Sequence, residues 1–299
     1  MNMPVYVSPE QLMKDRADFA RKGVARGRPV IVMQYDNGIL FVTENVSRSL
    51  HKIAEIYDRI GFAAVGKYNE FEKLRVTGVR YADMRGYAYD RSDVAARGLA
   101  NAYAQMLGSS FTTDPKPMEV EIVVAEVGAT PDEDQIYRLS YDGSVADEPG
   151  FVVMGANAEF LRDHLSNSFD PAATLDNALI TAIETLRIGA PESHATGSHA
   201  TEPHTPAAQG KSTGTQQEAD THEILPRNLE IAVLERDRVR RKFRRLVGAA
   251  LPSVVTDALS GHHGAPEPDN APEVAVSSAE PGPDQPAAEG NVEADSGSP

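Results

Sequence analysis

Two short apolar segments joined by an Asn-Gly turn constrain this chain more than any other feature. The segments Val30–Met33 and Ile39–Val42 flank the residues Tyr35-Asp36-Asn37-Gly38. Asn-Gly is a preferred dipeptide at the turn of a hairpin. The sequence therefore predicts two antiparallel neighbouring strands at this point.

Further segments of strand or helix length follow the hairpin. Apolar runs bounded by turn residues predict strands at Ile53–Tyr57, Ile60–Val65, Glu119–Val127, Gln135–Tyr141, Phe151–Met154 and Leu229–Leu234. Helical spacing predicts helices at Pro9–Gly23, Tyr68–Tyr87, Ser92–Leu107, Ala158–Ser166 and Ala172–Ile188. The first four strands are expected to form a meander. The whole order suits a sheet sandwich covered by helices on both faces, although periodicity alone does not establish one.

Two helix starts carry capping signals. Ser8 is followed by a proline and then, at the third position, by Gln11, which is typical of a helix N-terminus. Ser92, followed by Asp93, is predicted to cap the third helix, which is expected to stop at Gly108.

Two regions have no hydrophobic period and few large apolar residues. Residues 190–225 are rich in Ala, Thr, Ser, Gly, Pro, Gln and His, and residues 252–299 are rich in Pro, Ala, Glu, Asp, Gly and Ser. Such composition buries too little surface to fold. We predict one core made of residues 8–189 and 226–251, a disordered insertion at 190–225 and a disordered acidic tail at 252–299.

Composition excludes several kinds of site. The chain has no cysteine, which removes disulfides, thiol nucleophiles and thiolate metal sites. Four histidines of the insertion, His194, His199, His204 and His222, have spacings that fit no helical metal-binding pair. No metal or cofactor is predicted.

Charge and hydropathy exclude other partners. A net charge of -15 argues against general nucleic-acid binding, although part of it belongs to the tail, since no Lys or Arg follows Arg245. No apolar stretch is long enough to span a membrane, and the N-terminus has neither a basic leader nor an apolar region. The expected location is the cytoplasm.

Several short motifs occur in order along the chain. They are Ser8-Pro9-Glu10-Gln11, Arg26-Gly27, Asp36-Asn37-Gly38-Ile39-Leu40, Glu44-Asn45, His51-Lys52-Ile53, Tyr57-Asp58-Arg59, Ile60-Gly61-Phe62-Ala63-Ala64-Val65-Gly66, Arg85-Gly86-Tyr87-Ala88-Tyr89-Asp90 and Tyr141-Asp142-Gly143-Ser144. With this combination the chain resembles the α subunits of proteasomes, most closely those of actinobacteria, over about residues 6–250.

The resemblance implies a fold and a set of partners. The fold is an α+β four-layer αββα sandwich of the N-terminal nucleophile hydrolase type, preceded by an extra helix and a gating segment. Seven copies form a ring, which caps rings of catalytic β subunits and docks a hexameric ATPase. In this branch the ATPase unfolds substrates marked by a small protein tag (pupylated proteins).

The same resemblance implies that the chain is not an enzyme. Catalytic members begin the first strand with a threonine whose hydroxyl attacks the peptide bond. That position falls on Arg28, which cannot attack a carbonyl, while Glu44 and Lys52 stand where catalytic relatives carry an acid and a lysine. Other hydroxyls, Thr43, Ser47, Ser49, Thr112 and Thr113, do not begin a strand behind a processing site and are expected to be ordinary strand, turn or helix residues.

Two functional sites are carried over from the family. Residues 1–7 are expected to form the gate over the axial pore, that is Met1, Asn2, Met3, Pro4, Val5, Tyr6 and Val7, although an ordinary frayed terminus is the alternative. Lys52 is expected to bind the terminal carboxylate of an ATPase tail, and Gly66 to let the backbone of that tail approach. Their alternatives are a surface lysine and a plain turn glycine, and Lys22 departs from the glutamate of several archaeal relatives.

Two other functions remain open on the sequence. An active threonine peptidase of the same fold would need a threonine directly after Gly27, where the chain has Arg28. A scaffold or adaptor that keeps the fold without assembling a chamber is distinguished by its size in the presence of a β subunit.

Overall fold

Ten strands and five α-helices make up the part of the chain that the computed structural model describes, residues 8–189, 224–247 and Val255. The helices are α1 (Pro9–Val24), α2 (Tyr68–Ala88), α3 (Ala96–Thr113), α4 (Ala158–Ser168) and α5 (Leu175–Ile188). The strands are β1 (Val30–Tyr35), β2 (Gly38–Glu44), β3 (Ile53–Tyr57), β4 (Ile60–Gly66), β5 (Val120–Glu126), β6 (Gln135–Leu139), β7 (Val145–Asp147), β8 (Phe151–Met154), β9 (Leu229–Glu235) and β10 (Phe243–Leu246).

The strands form two antiparallel sheets of five. The first has the order β10-β9-β2-β1-β8, and the second has the order β3-β4-β5-β6-β7. The predicted hairpin is confirmed, with Val30 opposite Thr43. Its turn differs from the prediction, because Tyr35 pairs with Gly38, so the two turn residues are Asp36 and Asn37 and Gly38 begins β2.

The early strands do not form the predicted meander. β1 and β2 belong to the first sheet, whereas β3 and β4 belong to the second. The free edge of β2 is taken by β9, which pairs with it from Gly38 to Glu44, so β3 has no place beside β2. Residues 45–52 carry the chain from one sheet to the other, and Asn45 Nδ2 donates to Leu50 O at 2.8 Å within this crossover.

Side-chain alternation produces the layers. Ile31 and Met33 of β1 pack under α4 and α5, while Val30 and Val32 of the same strand face the second sheet. A third apolar cluster joins the other face of the second sheet to α2 and α3. Because neighbouring strand residues point to opposite faces, one apolar run serves two cores. The sandwich expected from the resemblance is confirmed.

The start of α3 differs from the sequence prediction. Ser92 lies in a short 3-10 turn (Arg91–Asp93) that Asp90 caps, and α3 begins at Ala96. Its first free N–H, on Ala96, donates 2.6 Å to Oε2 of Glu126 at the end of β5. A carboxylate that is distant in the sequence caps this helix in place of a local side chain. The capping signal at Ser92 therefore predicted the wrong start.

The end of α3 was also predicted too early. The helix continues past Gly108 to Thr113, and Arg16 of α1 donates to the carbonyls of Phe111 at 2.8 Å and Asp114 at 2.7 Å. Carbonyls at the end of a helix need such partners, and a basic side chain also suits the negative end of the helix dipole. This contact fixes α1 against the second helical layer.

Three smaller differences separate the predicted elements from the observed ones. β7 and β10 were not predicted, because β7 is short and largely exposed and β10 carries two arginines, Arg244 and Arg245. Helix α5 begins at Leu175, three residues after the predicted start, because the Thr174 side chain caps it.

Some predictions lie outside the described residues. These are the segment 1–7, nearly all of the insertion 190–225 and, except for Val255, the tail 252–299. Ile224 and Val255 are both buried against the core formed with α4 and α5. In the part of the chain that is described, no helix combines the length and apolar character needed to cross a bilayer.

Candidate functional site

Lys52 and Arg28 meet at one end of the sandwich. Arg28 lies two residues before β1 in the first sheet, and Lys52 lies directly before β3 in the second. The Nζ of Lys52 donates to the carbonyl oxygen of Arg28 at 3.0 Å. The two sheets therefore bring together the residue predicted to stand at the nucleophile position and the lysine predicted to dock a chain end.

Glu44 completes the constellation predicted from the sequence. It ends β2 beside the start of β1, is 7% exposed, and forms an ion pair with Nη1 of Arg28. The neighbouring Thr43 hydroxyl is buried and donates to the carbonyl of Pro29 at 2.7 Å. The Arg28 guanidinium thus projects outward from a buried carboxylate.

Glu230 of β9 was not predicted, yet it holds the backbone from which Lys52 extends. Its carboxylate accepts hydrogen bonds from the backbone N–H groups of Lys52 at 3.0 Å and Ile53 at 3.1 Å. Asn45 Nδ2 and Arg245 Nη1 also donate to it, each at 2.7 Å. Burial alone would raise the pKa of Glu230, but these four donors outweigh it and lower the pKa.

The ammonium of Lys52 is partly desolvated. Burial is the largest cause of a fall in its pKa to about 8, and the nearby Arg28 lowers it further, while Glu230 and Glu44 act in the opposite direction. The group is still mostly charged at neutral pH. Such a cation interacts more strongly with an entering anion than a fully hydrated one.

Replacing Lys52 with methionine is expected to stabilise the isolated chain at pH 7. The folded-state pKa of Lys52 lies below the ordinary lysine value of 10.5, so folding disfavours its charged form. The unfolded chain binds more protons between pH 8 and 10.5, and the stability of the natural protein therefore rises across this window. We expect the melting temperature of Lys52→Met to be higher by about 2–4 °C at pH 7 and the difference to shrink toward pH 10.

The exposed lysine of α1 supplies the control for that measurement. Lys14→Met removes the same charge at an exposed position and should show no such pH-dependent gain. A Lys52→Met protein that melts at or below the natural one at pH 7, with the same difference at pH 10, would contradict the argument that folding disfavours the charged form of Lys52.

Gly66 lies close to Lys52 but is required by the fold itself. Lys52 O accepts from the N–H of Ala64, two residues before Gly66 on β4. Gly66 has a φ of +111°, and a Cβ built on it would overlap the carbonyl oxygen of Glu119. A Cβ built on Gly27 would lie 3.3 Å from the amide nitrogen of Gly66, so these two glycines pack backbone against backbone. The turn-glycine alternative thus has a physical basis, whether or not a tail also binds here.

The other hydroxyl residues occupy ordinary positions. The Ser47 hydroxyl accepts from the N–H of Leu50, and the hydroxyls of Thr112 and Thr113 donate to carbonyls of their own helix. Ser49 lines a cavity of roughly 400 Å³ beside His51, on the α2 side of β3. The described residues contain no group of three His, Cys, Asp or Glu side chains that could hold a metal ion.

The arrangement suits anion binding better than bond cleavage. Three cations (Arg28, Lys52 and Arg245) and two carboxylates (Glu44 and Glu230) lie in one network. Arg28 lies two residues before β1, at the position predicted from the resemblance to correspond to the nucleophile of catalytic relatives. The network has one more cation than it has carboxylates, and the Arg28 side chain cannot attack a carbonyl.

Comparison with known proteins gives the same family by sequence model and by relatives. A model of the proteasome subunit family matches residues 24–201. A proteasome subunit alpha of Xylanimonas cellulosilytica is 62% identical over 251 residues, which cover 84% of this chain and 95% of the relative. The same subunit of Sanguibacter keddieii is 57% identical over 270 residues, covering 90% and 96%, and that of Kineococcus radiotolerans is 60% identical over 251 residues, covering 84% and 97%.

Proposed function

Because the chain belongs to the proteasome subunit family and has α subunits of actinobacteria as relatives over most of its length, we propose that it is a non-catalytic α subunit that gates a proteolytic chamber and docks an ATPase. The observation that carries this proposal is the residue at the start of β1. Arg28 occupies the position of the nucleophile, and its guanidinium is paired with Glu44. A strand that begins in this way has no hydroxyl to activate.

The proposed assembly is the one typical of proteasome α subunits. Seven copies form a head-to-tail ring that closes on itself, and this ring stacks on a ring of β subunits. The segment Met1–Val7 converges on the axis of the ring and limits entry to the chamber. The complex works in the cytoplasm on proteins that carry a small protein tag.

Docking of the ATPase uses the Lys52 site. A C-terminal carboxylate of the ATPase forms a charge-assisted hydrogen bond with the Lys52 ammonium. The partly desolvated state of Lys52 and the rigid support from Glu230 favour this role over that of an ordinary surface lysine, because both features place a cation in a fixed position. Gly66 lies beside this site and leaves room for the backbone of the tail.

Reconstitution with the β subunit of the same host tests the proposal. The chain alone should not hydrolyse a fluorogenic peptide, the complex with β should, and deletion of Met1–Val7 should raise the rate of the complex several-fold. The rise is expected because a gate limits substrate entry and leaves the β active sites unchanged. Peptide hydrolysis is measured by fluorescence, and particle size by gel filtration.

Each other outcome opposes a specific part of the proposal. Hydrolysis by the chain without β would identify an active peptidase. Failure to form a ring-sized particle with β would favour a free-standing scaffold. An unchanged rate after the deletion, with β active and the particle intact, would remove the gating role from Met1–Val7.

A further inference from the structure

Arg28 has a structural partner and still presents free hydrogen-bond donors. Its side chain is 40% exposed, whereas the side chain of Glu44, its partner, is 9% exposed. A guanidinium has five N–H donors in a planar fork, and Glu44 is paired through Nη1. The pairing therefore orients the group without using all of its donors.

The charge balance of the network leaves room for one more anion. Glu44 is paired with Arg28, and Glu230 is bonded to Arg245 and to the backbone at Lys52. The Nζ of Lys52 bonds to the carbonyl oxygen of Arg28, a neutral acceptor. Among these five groups three are cations and two are anions, so one monovalent anion balances the network.

The position of this excess positive charge indicates which chemical group can bind here. The Nζ of Lys52 lies 3.0 Å from the carbonyl oxygen of Arg28, and the charge of Arg28 lowers the pKa of Lys52, so an anion that contacts both side chains relieves their repulsion. A carboxylate has two oxygens and can accept from two donors at once. An amide at a chain end has no negative charge and offers one oxygen.

We propose that Arg28 is a specificity-determining residue of the docking site, where its guanidinium and the Lys52 ammonium bind the two oxygens of one chain-terminal carboxylate. This inference rests on the proposed docking function and adds a second cation to it. The residue that stands in place of the nucleophile thereby gains a binding role. Chain ends without a free carboxylate bind more weakly because they leave the excess positive charge of the network unbalanced.

The test uses the intact particle made with the β subunit. A labelled peptide that corresponds to the C-terminal residues of the host's proteasomal ATPase is prepared as the free acid and as the C-terminal amide. Binding of both peptides is measured by fluorescence anisotropy. The natural particle should bind the acid more than about tenfold more tightly than the amide, because the carboxylate makes a charge-assisted contact with each of the two cations.

Four variants separate the roles of the two cations. Arg28→Gln alone would remove a charged partner of the buried Glu44 carboxylate, so the informative pair is Glu44→Gln and the double variant Arg28→Gln/Glu44→Gln, which differ only at residue 28. The double variant should bind the acid about tenfold more weakly than Glu44→Gln does, and its preference for the acid over the amide should be correspondingly smaller. Arg26→Gln, which removes an exposed positive charge two residues away, should keep the preference.

The remaining outcomes distinguish this inference from the function on which it rests. If the double variant keeps the natural ratio of acid to amide affinity while Lys52→Met loses it, docking stands and the role of Arg28 is wrong. If the natural particle does not bind the acid, or if Lys52→Met keeps the ratio, the docking proposal itself fails. Gel filtration and melting temperature confirm that each variant is folded and assembled.

Discussion

A particle whose α subunit carries Lys52→Met is expected to lose ATPase-driven degradation of a folded, tagged substrate by at least about tenfold, with hydrolysis of short peptides unchanged. The Lys52 ammonium donates to the carbonyl oxygen of Arg28, and Glu230 holds the Lys52 backbone from which the side chain extends. Methionine keeps most of the length of the side chain without its charge. Short peptides enter without the ATPase, so their hydrolysis is independent of this contact. Degradation is followed by gel band intensity and peptide hydrolysis by fluorescence.

The pH dependence gives a second readout of the same contact. The charged form of Lys52 is lost as pH rises through its pKa of about 8, so ATPase-driven degradation should fall more steeply above pH 8 than peptide hydrolysis does. Lys14→Met should behave as the natural subunit does at every pH. Equal loss of both activities in Lys52→Met would point to a damaged particle and would contradict a docking role.

Local patterns in the sequence were enough to predict most of the elements. The hairpin at Asn37-Gly38 was predicted because its turn chemistry and both strands lie within a short stretch. β8 was predicted with its observed bounds, because Phe151–Met154 is a continuous apolar run that buries both faces. Where a segment's neighbours along the chain supply its constraints, periodicity and turn residues are sufficient.

Errors arose where a distant residue supplies the constraint. Glu126 of β5 caps α3 at Ala96, so the local signal at Ser92 pointed to the wrong start. β9 takes the edge of β2 from nearly the other end of the chain, which divides the expected meander between two sheets. These contacts depend on which strands pair with each other in the fold. The residues near each element along the chain do not indicate that pairing.

In the candidate site, too, some residues could be predicted from the sequence and others could not. Arg28, Glu44 and Lys52 were identified through the resemblance, and the structure brings them together. Glu230 and Arg245 were missed, because Glu230 lies 178 residues from Lys52 along the chain. The available signal was a glutamate within the otherwise apolar strand Leu229–Leu234, since a buried charge in a strand needs partners.

Gly66→Ala is expected to destabilise the fold by more than about 3 kcal/mol, with loss of ring assembly as the visible result. Two effects act together. The backbone at Gly66 has a φ of +111°, which side chains rarely adopt, and the added methyl group would overlap the carbonyl of Glu119. β4 and β5 are paired at this point, so relief would require breaking the register at Val120. Urea unfolding of the isolated chain measures the change.

Gly98→Ala is the matched control, because it adds the same methyl group inside α3. Its nearest contact would be the hydroxyl of Tyr81 at 3.7 Å, and its φ is not positive. Alanine is the better helix former, so this variant should be as stable as the natural protein or up to about 1 kcal/mol more stable. A Gly66→Ala chain as stable as Gly98→Ala would show that the backbone at the end of β4 tolerates a side chain.

The two expected results together determine how the docking site has to be tested. Loss of docking in Gly66→Ala would be uninformative, because the fold around Lys52 would be lost with it. Gly27 and Gly66 pack backbone against backbone beside Arg28, so damage at Gly66 reaches both cations of the site. Substitutions at Lys52 and Arg28 change charge at partly exposed side chains and leave this backbone contact intact. They can therefore separate recognition of a chain end from the stability of the scaffold that presents it.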